Sequence, residues 1–248
     1  MRRFWNAFCM CYGMFTALPC PHRPWDEGAR DMMLVCLPIV GALLGLLWAA
    51  LGALGMAWLS PSLRAAVLAA LPWLLTGFIH LDGYMDTCDA ILSWRPLEQR
   101  LSILKDVHTG AFAVVGLGLL MMFSYAATAG LEWIDLRALL FVPVVSRCGS
   151  AFCVLSLKPI GHSEYARTEG NNAQRIAVVA MWLIAVIACA VWMKRLAAAL
   201  LIETLVYAAA MGWAHHTLKG VSGDVAGFSL SAAECAALIA LANLHHLA

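Results

Sequence analysis

The 248-residue chain is 62% hydrophobic and only 12% charged, with a mean hydropathy of +0.80. That is too apolar for a soluble globular domain, and several runs reach the roughly 20 residues that a bilayer-spanning helix needs. A formal net charge of +1 excludes bulk electrostatic attraction to nucleic acid, so no nucleic-acid partner is expected.

The first 20 residues open with Arg2 and Arg3 and run on as FWNAFCMCYGMFTAL, with no small-residue cleavage site and with Pro19 and Pro21 closing the run. This predicts an interfacial amphipathic helix rather than a cleaved signal. Apolar runs then predict spans at about 33–58, 64–79, 111–131, 137–157, 176–193, 196–214 and 231–247. Pro72 interrupts the second, Pro143 and Arg147 the fourth, and the seventh is short. The expected fold is therefore all-α: a polytopic transmembrane helical bundle of about seven spans (six to eight fit), preceded by an interfacial helix. No long soluble segment interrupts the spans, so residues 1–248 read as one domain. The nine cysteines are scattered without a CxxC pair, and most read as small core hydrophobes.

Lysine and arginine in the connecting loops set the orientation. With the N-terminus inside, one side receives Arg2, Arg3, Arg23, Arg30, Arg95, Arg100, Lys105, Lys158, Arg167, Arg175 and Lys219. The other receives only Arg64, Arg137, Lys194 and Arg195. The eleven-to-four bias predicts a cytoplasmic N-terminus. The long connections 80–110, 158–175 and 215–230 then share the cytoplasmic face, as an enzyme acting on cytosolic substrates requires.

The first of these connections contains GFIHLDGYMDTCDAI, residues 77–91. Asp82, Asp86 and Asp89 follow an i, i+4, i+7 spacing and form one stripe on a helix. Like charges so placed repel unless a cation neutralises them. Oxygen-only donors suit a hard cation, magnesium (Mg2+) above all, bridging to substrate phosphates. A solvated acidic helix end is the plainer alternative. His80 is placed to hydrogen-bond a phosphate or carboxylate, and Gly83 to let a ligand approach the backbone. In KDVHTG (105–110), Asp106 offers a fourth carboxylate, and Lys105 or His108 a partner for phosphate.

Arg147 lies within a predicted span, where a charge is costly and marks a functional candidate, expected to contact the acidic cluster or substrate phosphate; a slipped span boundary is the alternative. Arg167, with Tyr165 and Gly170, suits an anion grip in the loop 158–170. Residues 219–234 hold Gly220, Gly223 and Gly227 around Asp224, a glycine-rich pattern able to cradle phosphate. The SAAE of 231–234 has the form of a capping box opening the last helix.

Taken together, these segments resemble the cobalamin synthase family, the integral-membrane adenosylcobinamide-GDP ribazoletransferases. The resemblance spans nearly the whole chain. It is carried by FTALPCP (15–21) with LPIVGALLGLL (37–47), by HLDGYMDTCDA (80–90) with RLSILKDVHTGAF (100–112), by SRCGSAF with YARTEG, and by SGDVAGFSLSAAE, in that order. Ala90 stands where the family usually has glycine, and His108 where arginine is usual. The resemblance implies transfer of the adenosylcobinamide-phosphate moiety from adenosylcobinamide-GDP to α-ribazole or its 5′-phosphate. The products are adenosylcobalamin, or its phosphate, and GMP, with Mg2+ held by Asp82, Asp86, Asp89 and Asp106. It further implies a bacterial cytoplasmic (inner) membrane location among membrane lipid, and it is compatible with a homo-oligomer.

Two other readings stay open on the residues alone. A CDP-alcohol phosphotransferase would also place carboxylates near the membrane surface, but Tyr84, Met85 and Asp86 follow Asp82-Gly83 where that class has DGxxAR. A cation transporter would want acidic residues within the spans, and none answering the stripe is expected there.

Overall fold

A computed structural model of the chain describes residues 2–20, 22, 25–133, 135–160 and 170–244. Among these residues the chain is built from helices, without a β-strand, as the apolar runs predict. The helices are α1 (Arg2–Phe15), α2 (Met33–Trp58), α3 (Pro61–Leu75), α4 (Ile79–Leu92), α5 (Leu97–Ile103), α6 (Ala111–Ala129), α7 (Val142–Ser156), α8 (Asn172–Met193), α9 (Ala197–Leu218) and α10 (Gly223–Leu244).

Five stretches are long and apolar enough to cross a membrane, or six if the bent pair α3–α4 counts as one. The expected seven differ from this count through the 47-residue stretch Asn172–Leu218. Its two helices fold back on each other, and Trp182 Nε1 on α8 donates to Thr204 Oγ1 on α9 at 3.0 Å. At 15 residues, α3 reaches only about 22 Å, short of a bilayer's hydrocarbon thickness of about 30 Å.

The connections sort the helix ends onto two faces. The start of α2, the ends of α7 and α9 and the starts of α8 and α10 gather on one face with α1; the turns 59–60, 130–133 with 135–141, and 194–196 lie on the other. Exposed tryptophans mark both rims, Trp5, Trp25 and Trp94 on the first and Trp58, Trp133 and Trp192 on the second. Such aromatic belts sit at the two membrane–water boundaries. As expected for an interfacial helix, α1 lies at a rim, with Ala7, Met10 and Cys11 packed inward and Phe4 and Trp5 outward.

Packing within the bundle follows the rule for helices in lipid, with small residues at close contacts and polar bonds between helices. Gly41 and Gly45 of α2 lie against the backbone of Pro143 and Leu140, leaving no room for a side chain. Trp48 Nε1 donates to Leu68 O at 2.9 Å, Thr128 Oγ1 to Ala65 O at 2.8 Å, and Tyr207 Oη to Ser150 Oγ at 3.2 Å. The centre of the bundle is α10, mostly buried, whereas α8 and α9 expose Ile176, Ile184, Ile187, Val191 and Leu205 to lipid.

Two sequence expectations are corrected here. The last helix opens at Gly223 rather than near Ser231, and the glycine-rich segment is its first turn. No capping box forms at 231–234, because both its residues are buried in mid-helix with partners elsewhere: Ser231 Oγ donates to His80 O at 3.4 Å, and Glu234 meets Arg147. Glycines every few residues signal a loop when read locally, but here their small size serves helix packing. The second span also stops early. Thr76 caps α3 by donating to Pro72 O at 2.8 Å, and Gly77 and Phe78 take left-handed backbone angles (φ +61° and +64°), turning α4 by 92° from α3.

Candidate active site

The bend at 76–78 lays α4 across the first turns of α10. A methyl on Gly83 would stand 2.6 Å from Asp224 Cα, and one on Gly227 would stand 3.0 Å from His80 O. Gly83 thus admits another helix rather than a ligand, which corrects the role expected for it. This crossing brings Asp224 to the acidic stripe. Asp86 feels the like charges of Asp82, Asp224 and Asp89, from two helices far apart in sequence. Replacing Gly83 with alanine should force the crossing apart, at a cost of about 1–3 kcal/mol for overpacking. A lowered melting temperature in detergent, with activity lost in proportion, checks this.

The carboxylates are not equivalent. Asp82 is exposed, and Asp86 and Asp224 are half-buried. Asp224 Oδ2 accepts from Ser222 Oγ at 3.3 Å, and the same Ser222 Oγ accepts from Val225 N, which caps α10. Asp89 is buried and already engaged: its two oxygens accept from Gly110 N and, at 3.0 Å, from Ala113 N. A carboxylate at a helix N-terminus satisfies amides that the helix cannot and complements its dipole. Asp89 therefore fastens the start of α6, and with it the loop 104–110, to the acidic stripe.

That loop carries Lys105, Asp106 and His108, all exposed. Asp106 does not join the groups acting on Asp86. It binds His108 Nδ1 at 2.7 Å and accepts from His108 N at 3.0 Å. These hydrogen bonds hold its carboxyl below the usual carboxylate range. The histidine found in place of the family's arginine thus takes Asp106 as its partner. Ala90, in place of the family's glycine, is fully buried and fits the packing of α4.

Among the described residues, no three His, Cys, Asp or Glu side chains converge into a preformed metal cage, and no salt bridge reaches Asp82, Asp86 or Asp224. An oxygen-only, uncompensated and partly solvated donor set nevertheless fits Mg2+. That ion commonly takes one or two carboxylates, keeps several waters and receives its remaining oxygens from substrate phosphate.

Beside the crossing lies a cavity of about 350 Å³ between α1, α2, α4, α7 and α10. His80, Ser150, Ser222 and Asp224 are its polar lining, and Phe15, Leu34 and Leu37 form an apolar wall. His80 is 8% exposed, lies parallel to Phe15 with ring centroids 6.0 Å apart, and has a buried Nε2 without a partner. Gly223 also lines this space, whereas Arg167 and Tyr165 lie outside the described residues.

Arg147 is placed differently from the expectation of a contact with phosphate or with the acidic stripe. It is within a helix and 2% exposed, so no slipped boundary explains it. Its Nη1 donates to Glu234 on α10 and, at 3.0 Å, to Ser146 Oγ, which itself donates to Glu234 at 2.9 Å. Glu203 on α9 is fully buried beside this pair, and neither of its oxygens has a partner. Acidic residues do therefore stand within the spans, but they gather on Arg147 and do not answer the stripe. The rule that singled out Arg147, an ionisable residue in an apolar run, applies equally to Glu203 and Glu234. What it could not supply was the pairing between helices.

Fold and site together define an integral-membrane helical protein with a carboxylate-rich site at one face. The family described as Cobalamin-5-phosphate synthase matches residues 7–242. The adenosylcobinamide-GDP ribazoletransferase of Clostridium perfringens (strain SM101) is 32% identical, covering 97% of this chain and 99% of that protein. The enzyme of the same name from Clostridium botulinum (strain Alaska E43) is 34% identical over 96% of this chain and 97% of its own length. That of Geobacillus kaustophilus is 30% identical over 94% of each. No solved structure matches. The chain belongs to the cobalamin-5-phosphate synthase family, transferases of cobalamin biosynthesis.

Proposed function

We propose that this chain transfers the adenosylcobinamide-phosphate moiety of adenosylcobinamide-GDP to a free ribose hydroxyl of α-ribazole or of its 5′-phosphate, releasing GMP. The observation that carries this reading is the α4–α10 crossing, which brings Asp224 up to the stripe of Asp82 and Asp86, with no salt bridge to these carboxylates among the described residues, in a chain of this family. Mg2+ would be held by one or two of Asp82, Asp86 and Asp224, with its remaining oxygens from water and substrate phosphate. When bound, it supplies charge neutralisation at the diphosphate.

The chain's own groups do the rest. Lys105, on the loop anchored through Gly110 and Asp89, is free to meet phosphate oxygens as they gather negative charge. Asp224 stands where the acidic stripe meets the cavity, and one carboxylate of this group, left off the cation, accepts the proton of the attacking hydroxyl. The helices around the cavity hold the acceptor in line with the diphosphate.

The test is GMP release by the purified protein in lipid, from adenosylcobinamide-GDP and α-ribazole. Activity should vanish on chelation and return with added Mg2+. If no GMP appears with both substrates and Mg2+ present, the reading is wrong.

The face bearing the site is cytoplasmic in this proposal, from the excess of lysine and arginine on it. Reporter fusions should place residues 95 and 222 inside and residue 61 outside. The opposite assignment of residue 222 would separate the site from cytosolic substrates.

A further inference from the structure

A second cavity, of about 400 Å³, lies between the middles of α7, α8 and α9, apart from the acidic crossing. Among the described residues no lysine, arginine, aspartate or glutamate lines it. Its hydrogen-bonding side chains are already engaged with the protein. Trp182 Nε1 donates to Thr204 Oγ1, Thr204 Oγ1 donates to Leu200 O at 2.8 Å, and Tyr207 Oη donates to Ser150 Oγ. A buried water needs about two to four polar partners, and this lining adds only the weakly bonding thiols of Cys148 and Cys153. An empty space forfeits the dispersion contacts of its walls. Hydrocarbon is the filling that restores them.

The shape and one end of the space select the occupant. Phe152 and Val179 line it and are 41% and 40% exposed, so it is open sideways to the bilayer. Val145, Cys148 and Val178 also line it but are at most 2% exposed, and they form its back wall. A helix of a neighbouring chain is about 10 Å across with its side chains, too wide to enter a pocket of this volume; a single acyl chain is not. Arg175 stands one turn before Val178 and Val179 on the same side of α8, about 5 Å nearer the face that bears the acidic site. Its Nε and Nη2 donate to Leu155 O at 3.1 and 2.8 Å, and its Nη1 to Asn172 Oδ1 at 3.2 Å. The guanidinium thus bridges α8 to α7 at that end of the cavity. Two of its five N–H groups are left over by these bonds, and among the described residues no carboxylate forms a salt bridge with it.

We infer that this cavity is a phospholipid site. It takes one acyl chain of an anionic phospholipid from the leaflet on the side of the acidic crossing, with the lipid phosphate at Arg175. A chain gains little by leaving one hydrocarbon medium for another, so the cavity fixes where the lipid sits and the headgroup fixes which lipid. Guanidinium and phosphate form charge-assisted hydrogen bonds. An anionic head brings no ammonium of its own to compete with Arg175, and basic pockets between membrane helices hold such heads. The site is independent of the reaction proposed above. Ser150 lines the cavity at the acidic crossing and Tyr207 lines this one, so their hydrogen bond is part of the wall between the two.

The experiment titrates the full chain in detergent with phosphatidylglycerol, and separately with phosphatidylcholine of the same chains, and reads retained lipid by native mass spectrometry. One phosphatidylglycerol should be retained per chain, about tenfold more tightly than phosphatidylcholine, as one charge-assisted hydrogen bond implies. Arg175→Gln keeps a donor for Leu155 O and removes the charge, so its preference should fall to about twofold or less. Ala208→Phe fills the cavity from its exposed side and should weaken retention of both lipids about tenfold, the cost of overpacking. In the wild type, phosphatidylglycerol carrying a photoreactive diazirine in mid-chain should label Cys148 or Val178, which lipid outside the cavity cannot touch. This last arm needs no variant to fold. Labelling confined to the outward Ile176, Ile184 and Leu205, equal retention of the two lipids by the wild type, or undiminished retention by Ala208→Phe would each overturn the site. A dimer that Ala208→Phe disperses would assign the cavity to a second copy of the chain and overturn it as well.

Discussion

Asp86→Asn should lower GMP release by about 100- to 1,000-fold, the range seen when one group of a preorganised charged site is neutralised. Asp86 lies among the like charges of Asp82, Asp224 and Asp89, so its carboxylate is placed to share a cation with them. Asp82→Asn should behave similarly, and raised Mg2+ should restore part of its activity, because Asp82 is exposed and water can replace it. Asp89→Asn should differ in kind. Its two oxygens hold the first turn of α6, so the variant should also lose about 1–2 kcal/mol of stability, as helix caps do. The measurements are steady-state kinetics against Mg2+ concentration and melting temperature in detergent. If Asp82→Asn and Asp86→Asn both kept near-normal turnover at limiting Mg2+, the carboxylates would be a solvated helix face and nothing more.

The second large effect is one of stability. Arg147→Met should destabilise the protein by about 3–5 kcal/mol, because it strands the charge of Glu234 in the bundle interior. Glu234→Leu should do the same by stranding the guanidinium. Together, Arg147→Met and Glu234→Leu should cost much less than the sum of the two, since an apolar pair of similar volume often replaces a buried ion pair without loss. Glu203→Gln should be neutral or stabilising, for it removes a second carboxylate beside Glu234 whose oxygens bind nothing. Arg147→Lys should lower the melting temperature while leaving KM for both substrates unchanged. A shift in donor KM without loss of stability would return Arg147 to the phosphate-binding role expected from its place in the sequence.

The sequence by itself determined the class of fold, several of the spans and the acidic stripe. Long apolar runs cross a membrane because lipid offers the backbone no other partner than itself. The run 111–131 became Ala111–Ala129 almost unchanged. Asp82, Asp86 and Asp89 were legible because their spacing is a property of one helix. The tertiary structure alone decided which groups join them. Asp224, 135 positions beyond Asp89, reaches the stripe only because Gly77 and Phe78 turn α4 across α10 and Gly83 leaves room for the crossing. In sequence, Gly83 and Gly223 fit a phosphate cradle and Arg147 an anion site, since local pattern records residue type but not the approach of another helix. Glu234 gives Arg147 its partner across 87 positions, and Asp89 finds its hydrogen-bond donors at the start of α6. Pairings of that range depend on the packing of small residues between helices, which no window along the chain can contain.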